Sequence, residues 1–239
     1  MKKFSISLVI SYLFLGVIVK GQPFFELSGG LNYNSLSDNP ELGFFEELSA
    51  ENGIYFSVVI NYSINERFGL VGGVQFVQKN YKLHRRPPFQ SVFKEVENDF
   101  LQTPIALEVR LLQLEKIIIS FQAGFFASYW IQSHTEGTIP NAFNSTNNLT
   151  ENGEVIQNFS VSSYQEKGFD QGSDNRFEIG TLFGLDLMYA IHPKYSMVLA
   201  LTYNYSFTPL STSNLDYSNR TLISSIGVRY SLTKGKGHE

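Results

Sequence analysis

The chain has no cysteine among its 239 residues. This excludes disulfide bonds, thiolate metal ligands, a cysteine nucleophile and a lipid-modified N-terminal cysteine. An excess of positive charge is also missing, because 18 Lys and Arg stand against 22 Asp and Glu, for a net charge of -4. Nucleic-acid binding relies on basic patches that neutralise phosphates. We therefore expect no nucleic-acid partner.

Long apolar runs are scarce. The exception is residues 4–19, which follow two lysines and lead to the small residue Gly21. This order is typical of an export signal that is cleaved between Gly21 and Gln22. An uncleaved anchor is the alternative, but the run is short for a membrane span of about 20 residues. No later window has the ~18 uninterrupted apolar residues of a transmembrane helix. We divide the chain into a signal peptide, 1–21, and one domain, 22–239.

Alternation of apolar and polar residues dominates the rest of the chain. The segment YSMVLALTYNYSF, residues 195–207, has one apolar face and one face of mostly small, polar residues. This period of two indicates a β-strand. Strands of soluble proteins are typically about five or six residues long, whereas a tilted strand that crosses a bilayer needs about 9–11. Most of the strand-like segments exceed ten residues: 24–34, 53–63, 67–82, 96–111, 116–132, 175–190, 195–208 and 219–231.

The connections between these segments alternate in length. Three are tight, at 63–67, 112–116 and 191–194, and four are longer, at 35–52, 83–95, 133–174 and 209–218. Short turns at one end and long loops at the other are typical of a transmembrane β-barrel. The sequence thus predicts an all-β fold, an eight-stranded antiparallel up-and-down transmembrane β-barrel preceded by a cleaved signal peptide. Segment 133–174 shows almost no alternation, and we expect it to be a mobile exposed loop.

The two faces of the strands carry different side chains. Tyrosines cluster near the ends of the apolar faces, as in the aromatic girdles that contact lipid headgroups: Tyr33, Tyr62, Tyr129, Tyr189, Tyr195, Tyr203, Tyr205 and Tyr230. Glycines, small residues and charges lie on the polar faces. Unpaired buried charges are costly, so we expect the charges to form a network in the lumen: Glu26, Glu108, Arg110, Glu178, Asp186 and Arg229. In particular, Arg229 is a candidate partner of Glu26.

Two alternatives to a membrane barrel with a filled lumen share some of these features. A soluble sandwich also alternates, so a secreted soluble β-protein is one alternative. A small-solute channel is another, although eight strands enclose a lumen that side chains about fill. Within strand 96–111, Pro104 cannot donate a hydrogen bond to the ladder. We expect a β-bulge there, which would exchange the lipid-facing and lumen-facing positions between Thr103 and Arg110.

The same strand carries a family resemblance. NDFLQTPIALEVRL, residues 98–111, resembles the "Y-L-x-I-P-L-L-L-K" strand of the PorT-like outer-membrane β-barrel family, with its proline a few residues after an aromatic-Leu pair. The positions that fill this pattern are Phe100, Leu101, Pro104, Ile105 and Leu107. Further similarity covers 27–34, 177–207 and 226–232. The resemblance implies a Gram-negative outer-membrane location and an eight-stranded barrel. The best-known member assists a protein secretion machine, and the family supplies no catalytic residues.

Candidate chemistry is confined to the longer loops. His134, Asp170 and Asp174 flank 133–174 and could imitate the rim site of an outer-membrane hydrolase. Asp170, Asp174 and Asn175 offer oxygen ligands for Ca²⁺, but their spacing does not match an EF-hand. No second constellation supports either site. We therefore expect a protein that is not an enzyme and has no catalytic residues, no metal and no cofactor, with an outer-membrane rim enzyme as the alternative.

Partners are predicted at the membrane and beyond it. The barrel exterior would contact outer-membrane lipid, and the basic cluster His84, Arg85 and Arg86 could contact lipopolysaccharide phosphates. Loops 35–52 and 133–174 are candidates for binding a protein partner. The sequence therefore predicts a structural or interaction scaffold in the bacterial outer membrane, with support of a secretion or surface assembly as a role that fits it.

Overall fold

The structure is a computed structural model that describes residues 22–37, 46–86, 91–149, 155–169, 174–211 and 217–232. The predicted signal peptide, residues 1–21, lies outside the described residues. No helix within the described ranges is long and apolar enough to cross a membrane. A single antiparallel sheet of ten strands is formed by β1 (Gln22–Leu36), β2 (Glu46–Ser63), β3 (Phe68–Gln78), β4 (Tyr81–Arg85), β5 (Phe93–Gln113), β6 (Ile117–Leu149), β7 (Val155–Lys167), β8 (Phe177–His192), β9 (Tyr195–Ser206) and β10 (Asn219–Ser231).

Eight of these strands close into a ring. The order around it is β1, β2, β3, β5, β6, β8, β9 and β10, and β10 pairs back onto β1. Strand β4 continues β3 after a break at Lys79 and Asn80 and pairs with the same neighbours, β2 and β5. Strand β7 pairs with residues 134–149 of β6, beyond the part of β6 that pairs with β8. The predicted eight-stranded antiparallel barrel is therefore confirmed.

The three tight turns, 64–67, 114–116 and 193–194, lie together at what we call the short-turn end. The opposite end, which we call the outer rim, holds the other connections. There the expectation of a loop without regular structure was wrong for residues 133–149 and 155–167, because β6 continues to Leu149 and β7 returns antiparallel along it. Backbone hydrogen bonds between two strands need no apolar alternation when water can reach both faces. This is why a polar sequence forms a hairpin here.

Side chains alternate between the exterior and the lumen along most of each strand, and the alternation is broken at register shifts such as the one opposite 99/100. Large apolar residues cover the exterior, where Leu31, Ile105 and Phe125 are 63%, 68% and 63% exposed. So much exposed apolar surface is unusual for a soluble monomer. This face can contact lipid because the ring of strands is closed, so that no strand edge exposes unpaired backbone N–H and C=O groups to the lipid. The opposite faces point into the lumen and are buried.

The alternation passes through Pro104 without interruption. Gln102, Pro104 and Ala106 are buried, and Thr103 and Ile105 are exposed. The bulge expected at Pro104 was therefore wrong, and the register shifts of β5 against β6 lie elsewhere, at 99/100 and 110/112. The ladder between β3 and β5 omits two residue pairs at this point, 73/104 and 74/103, and keeps its register on both sides. A local gap in one ladder accommodates the missing N–H group without an extra residue.

The lumen contains an apolar layer in addition to small and polar residues. Val59, Val71, Ala106, Phe126 and Leu182 form one buried cluster across it. Phe126 belongs to β6, where it interrupts a mostly polar face. A Cβ atom on Gly180 would lie 2.5 Å from Cζ of Phe126, so this glycine leaves room for the aromatic ring. The layer fills the middle of the barrel with side chains.

Candidate functional site

Arg229 lies at the centre of a charge cluster near the short-turn end of the lumen. Its Nε donates to Glu26 Oε2 at 2.8 Å, and its terminal nitrogen donates to Glu108 Oε2 at 3.1 Å. The same nitrogen lies 3.9 Å from Asp186 Oδ2. Asn61 Nδ2 also donates to Glu26, at 3.1 Å. All five side chains are buried, so the single guanidinium compensates several carboxylates at once.

Arg110 extends this cluster toward the solvent at the short-turn end. Its Nε lies 3.8 Å from Glu108 Oε1. Its terminal nitrogens donate to the hydroxyl of Ser63 and to the backbone oxygen of Glu66. Five of the six predicted lumen charges are therefore brought together, and Glu178 lies apart from them.

Glu178 pairs with Lys79 nearer the outer rim. The distance from Lys79 Nζ to Glu178 Oε2 is 2.5 Å, and the two side chains are 0% and 3% exposed. Ser128 Oγ donates to the same carboxylate at 2.7 Å, and Asn219 Nδ2 donates to its other oxygen at 3.3 Å. This pair is shielded from water on all sides, which makes the loss of either partner costly.

Lys79 also contacts two aromatic rings. Its Nζ lies 4.7 Å from the ring centroid of Phe100 and 5.0 Å from that of Phe126, within the range of cation–π interactions. Sequence analysis did not single out Lys79. The sequence nevertheless indicates that Lys79 faces the lumen. Lys79 shares the parity of Gln75 and Val77, which both belong to the inner face of β3.

All eight predicted girdle tyrosines lie on the exterior of the barrel. Tyr33, Tyr129, Tyr203 and Tyr205 lie toward the outer rim. The other four lie toward the short-turn end, at Tyr62, Tyr189, Tyr195 and Tyr230. The rings of Tyr195 and Tyr230 are 5.0 Å apart. The tyrosines thus form two groups, one near each end of the strands.

A cavity of about 680 Å³, which we call the cup, opens at the outer rim. Aromatic side chains form its floor. The indole of Trp130 stacks on Phe100 at a centroid distance of 5.7 Å and an interplanar angle of 12°. Phe169 meets Trp130 edge-on at 5.0 Å. Tyr81 and Val96 complete the floor.

Arg176 fixes this floor in place. Its Nε and a terminal nitrogen donate to the backbone oxygen of Trp130, at 3.1 and 2.9 Å. Its guanidinium carbon lies 4.1 Å from the ring centroid of Phe169 and 4.6 Å from that of Tyr129. Arg176 therefore clamps the segment after β7 onto the wall formed by β6.

Hydroxyl and charged groups form the walls of the cup. The rest of the lining consists of Ser133, Thr135, Lys94, Glu166, Lys167, Gly168 and Asp174. Ser133 Oγ donates to the buried Asn98 Oδ1 at 2.9 Å.

Burial, with the nearby carboxylate of Asp174 as a second cause, raises the pKa of Tyr81 to about 12. Tyr81 therefore stays a neutral phenol at physiological pH, able to donate a hydrogen bond.

Of the candidate catalytic residues, the structure describes His134 and Asp174. His134 Nε2 lies 3.0 Å from Glu136 Oε1, which also accepts from Gln165 at 2.6 Å. Asp174 pairs with Ser211 in an isolated bridge, and Asp170 lies outside the described residues. Within those ranges, no three His, Asp or Glu side chains converge as a metal site requires.

The basic cluster of His84, Arg85 and Arg86 lies at the outer rim, at the end of β4. His84 and Arg85 line a second pocket of about 210 Å³ together with Lys94. His84 Nε2 lies 3.6 Å from Glu47 Oε2. Apolar walls from Leu83, Val92, Phe93 and Ile139 accompany the basic groups. The pocket thus combines cationic and apolar groups.

The closed ring, the apolar exterior and the filled lumen define an outer-membrane β-barrel protein. Comparison with family models agrees, because residues 22–212 match the outer membrane protein beta-barrel domain. The chain belongs to this family. No curated protein matches the sequence.

Several solved outer-membrane proteins are similar to the chain in fold. Neisserial surface protein A (NspA) has 13% sequence identity and a TM-score of 0.44, with 86% of this chain and 96% of that chain covered. OprG from Pseudomonas aeruginosa has 10% identity and a TM-score of 0.48, with 90% and 98% covered. The outer membrane protease OmpT from Escherichia coli has 12% identity and a TM-score of 0.45, with 88% and 96% covered.

Proposed function

We propose that this outer-membrane β-barrel protein is a closed scaffold that presents the β6–β7 hairpin to a protein partner at the cell surface. The observation that carries the proposal is a lumen filled at successive levels. The Arg229 cluster, the apolar layer around Phe126 and the Lys79–Glu178 pair follow one another from the short-turn end toward the outer rim. Eight strands enclose a lumen that side chains about fill, so this stacking favours a structural role over solute transport.

The hairpin is attached to the barrel through an uninterrupted strand. Strand β6 has 33 residues and pairs with β8 and β5 in the ring before it pairs with β7 beyond it. A surface element built on the same strand as the barrel wall is held in a defined orientation. Export by a cleaved signal peptide, residues 1–21, would deliver the chain to this location.

Two further aspects of this role are supported by sequence features. The resemblance of residues 98–111 to the PorT-like family supports participation in a secretion or surface assembly. The pocket at His84 and Arg85 supports contact with lipopolysaccharide, because phosphates bind cationic groups and acyl chains pack against apolar walls.

Site-specific cross-linking tests the scaffold proposal, and the absence of native cysteine makes each introduced thiol unique. Ser163→Cys places a thiol on the exposed side of β7, and Glu115→Cys is a control in a turn at the short-turn end. We expect a discrete cross-linked product in the outer-membrane fraction from Ser163→Cys alone. Equal products from both variants, or none from either, would contradict a hairpin partner.

Conductance tests the closed lumen separately. Purified barrel in planar bilayers should show no single-channel conductance above the background of the lipid. Heat-modifiability on a detergent gel, compared before and after boiling, verifies that the sample contains a folded barrel. Regular conductance steps from folded protein would show that the barrel is a channel and would contradict the proposal of a closed scaffold.

A further inference from the structure

We propose that the cup at the outer rim binds a neutral oligosaccharide. This goes beyond the scaffold role, because it concerns a small ligand and holds whether or not the β6–β7 hairpin has a protein partner. The volume of about 680 Å³ lies in the range of small-molecule sites, roughly 300–1,000 Å³, and has room for more than one sugar ring.

The charges of the cup indicate a ligand without net charge. Among the described residues, two cations, Lys94 and Lys167, line it together with two carboxylates, Glu166 and Asp174. The lining charge is therefore balanced, so neither an anion nor a cation is favoured by the field of the cup as a whole. A polyanion would meet the carboxylates, and a polycation would meet the lysines.

The hydrogen-bonding groups of the cup are available to a ligand. In the described part of the chain, Lys94, Glu166 and Lys167 make no ion pair within 4.0 Å. An ammonium group offers only donors and a carboxylate offers only acceptors, while the hydroxyls of Ser133 and Thr135 offer both. Sugar hydroxyls require this mixture, since each of them can donate one hydrogen bond and accept others.

The hydroxyl of Ser133 is oriented by a buried amide behind the wall of the cup. Asn98 is fully buried, and its Oδ1 accepts from the Ser133 hydroxyl, while its Nδ2 has no partner in the structure. Because the Ser133 proton is directed to Asn98, the lone pairs of the Ser133 oxygen remain free to accept from a ligand. Asn98 does not line the cup itself, so its part is to orient the Ser133 hydroxyl, which does.

The floor of the cup supplies the apolar complement. A sugar ring has C–H groups on its faces and hydroxyls at its edge, so it fits a site with an aromatic base and polar walls. Tyr81, Trp130 and Phe169 provide that base. Stacking with Phe100 and the clamp of Arg176 hold it before a ligand arrives. A preorganised site loses little conformational entropy on binding.

Fluorescence of Trp130 tests the proposal directly, because the chain has one tryptophan. The full barrel, refolded in lauryldimethylamine oxide micelles that carry no sugar headgroup, is titrated with maltotriose, cellotriose and chitotriose. We expect a saturable change of emission with at least one of these neutral trisaccharides. Trigalacturonate and trilysine serve as anionic and cationic probes, and should give no saturable change.

Variants connect the response to the cup. Glu166→Gln and Lys94→Gln should each raise the dissociation constant of the responding trisaccharide at least fivefold. Glu115→Gln and Lys116→Gln, at the short-turn end, are the matched controls and should leave it unchanged. Heat-modifiability of every variant verifies folding, so that loss of binding is not loss of the barrel.

Three results would overturn the proposal. They are no saturable response to any neutral trisaccharide, saturation by a charged probe alone, and equal binding by the cup variants and their controls. None of these results affects the cross-linking test of the hairpin partner, so the two proposals fail independently.

Discussion

Glu26 and Arg229 are 203 residues apart in the sequence and directly opposite each other in the register of β1 and β10. The Arg229 Nε donates to the Glu26 carboxylate at 2.8 Å across the junction of the first and last strands. The contact that anchors the charge cluster therefore also crosses the line along which the barrel closes.

Replacing Arg229 with Leu should strongly destabilise the barrel. The change leaves the buried carboxylates of Glu26 and Glu108 without their main partner, and breaking a buried ion pair in this way costs about 3–5 kcal/mol. The measurement is the midpoint of urea unfolding in detergent micelles. Arg67→Leu, in an exposed turn, is the control. An unchanged midpoint for Arg229→Leu would show that the pairing does not support folding.

Lys79 and Glu178 should show strong non-additivity in a double-mutant cycle. Lys79→Met leaves a buried carboxylate unpaired, and Glu178→Gln leaves a buried ammonium unpaired. Each single variant should lose several kcal/mol by the same argument, roughly 3–5, whereas the double variant should lose much less than the sum. Urea unfolding measures all three. Additive losses would mean that the two groups act independently.

Gly180 should tolerate no side chain. A Cβ atom there would lie 2.2 Å from the backbone oxygen of Tyr205 and 2.5 Å from the ring of Phe126. Overpacking of this kind typically costs about 1–3 kcal/mol, so Gly180→Ala should lower the unfolding midpoint. Gly184→Ala is the matched control on the same face of β8, because its nearest contact is the Thr202 hydroxyl at 3.2 Å. Similar losses in both variants would argue against a tight fit at Phe126.

Hydrogen exchange should distinguish a hairpin from a mobile loop above the outer rim. Residues 134–137 pair with β5 on one side and β7 on the other. Their amides should exchange at least tenfold more slowly than the exposed turn 64–67, because paired backbone groups exchange only on opening. Mass spectrometry of the folded barrel in micelles provides the comparison. Equal rates in the two segments would support a mobile loop.

The barrel could be predicted from the sequence because its physical cause is local. A strand between lipid and a narrow lumen must alternate, and residues 195–207 do so along their whole length. Phe126 and Trp130 were harder to interpret, since each interrupts a polar face of β6. Both are buried in the lumen, where apolar groups from several strands meet. Such a layer depends on contacts between distant segments, which no local pattern reports.

The outer rim was the least predictable region. The cup combines Tyr81, Trp130 and Phe169 from separate parts of the chain, and Arg176 joins two of them. None of these residues stands in a motif. Lys79 differs, because the parity of β3 alone places it on the inner face. A lysine of that parity belongs to the lumen, where it is available to compensate a buried carboxylate such as Glu178.

Strand β6 gives the molecule a mechanical property. It continues from the short-turn end through the membrane ring into the hairpin, and it is bonded on both sides within the ring. Tension applied at the hairpin acts along the strand axis, parallel to two ladders, so it loads many hydrogen bonds in shear at the same time. An object tethered at that point is held by the barrel wall itself, and pulling it away requires many of those bonds to break together.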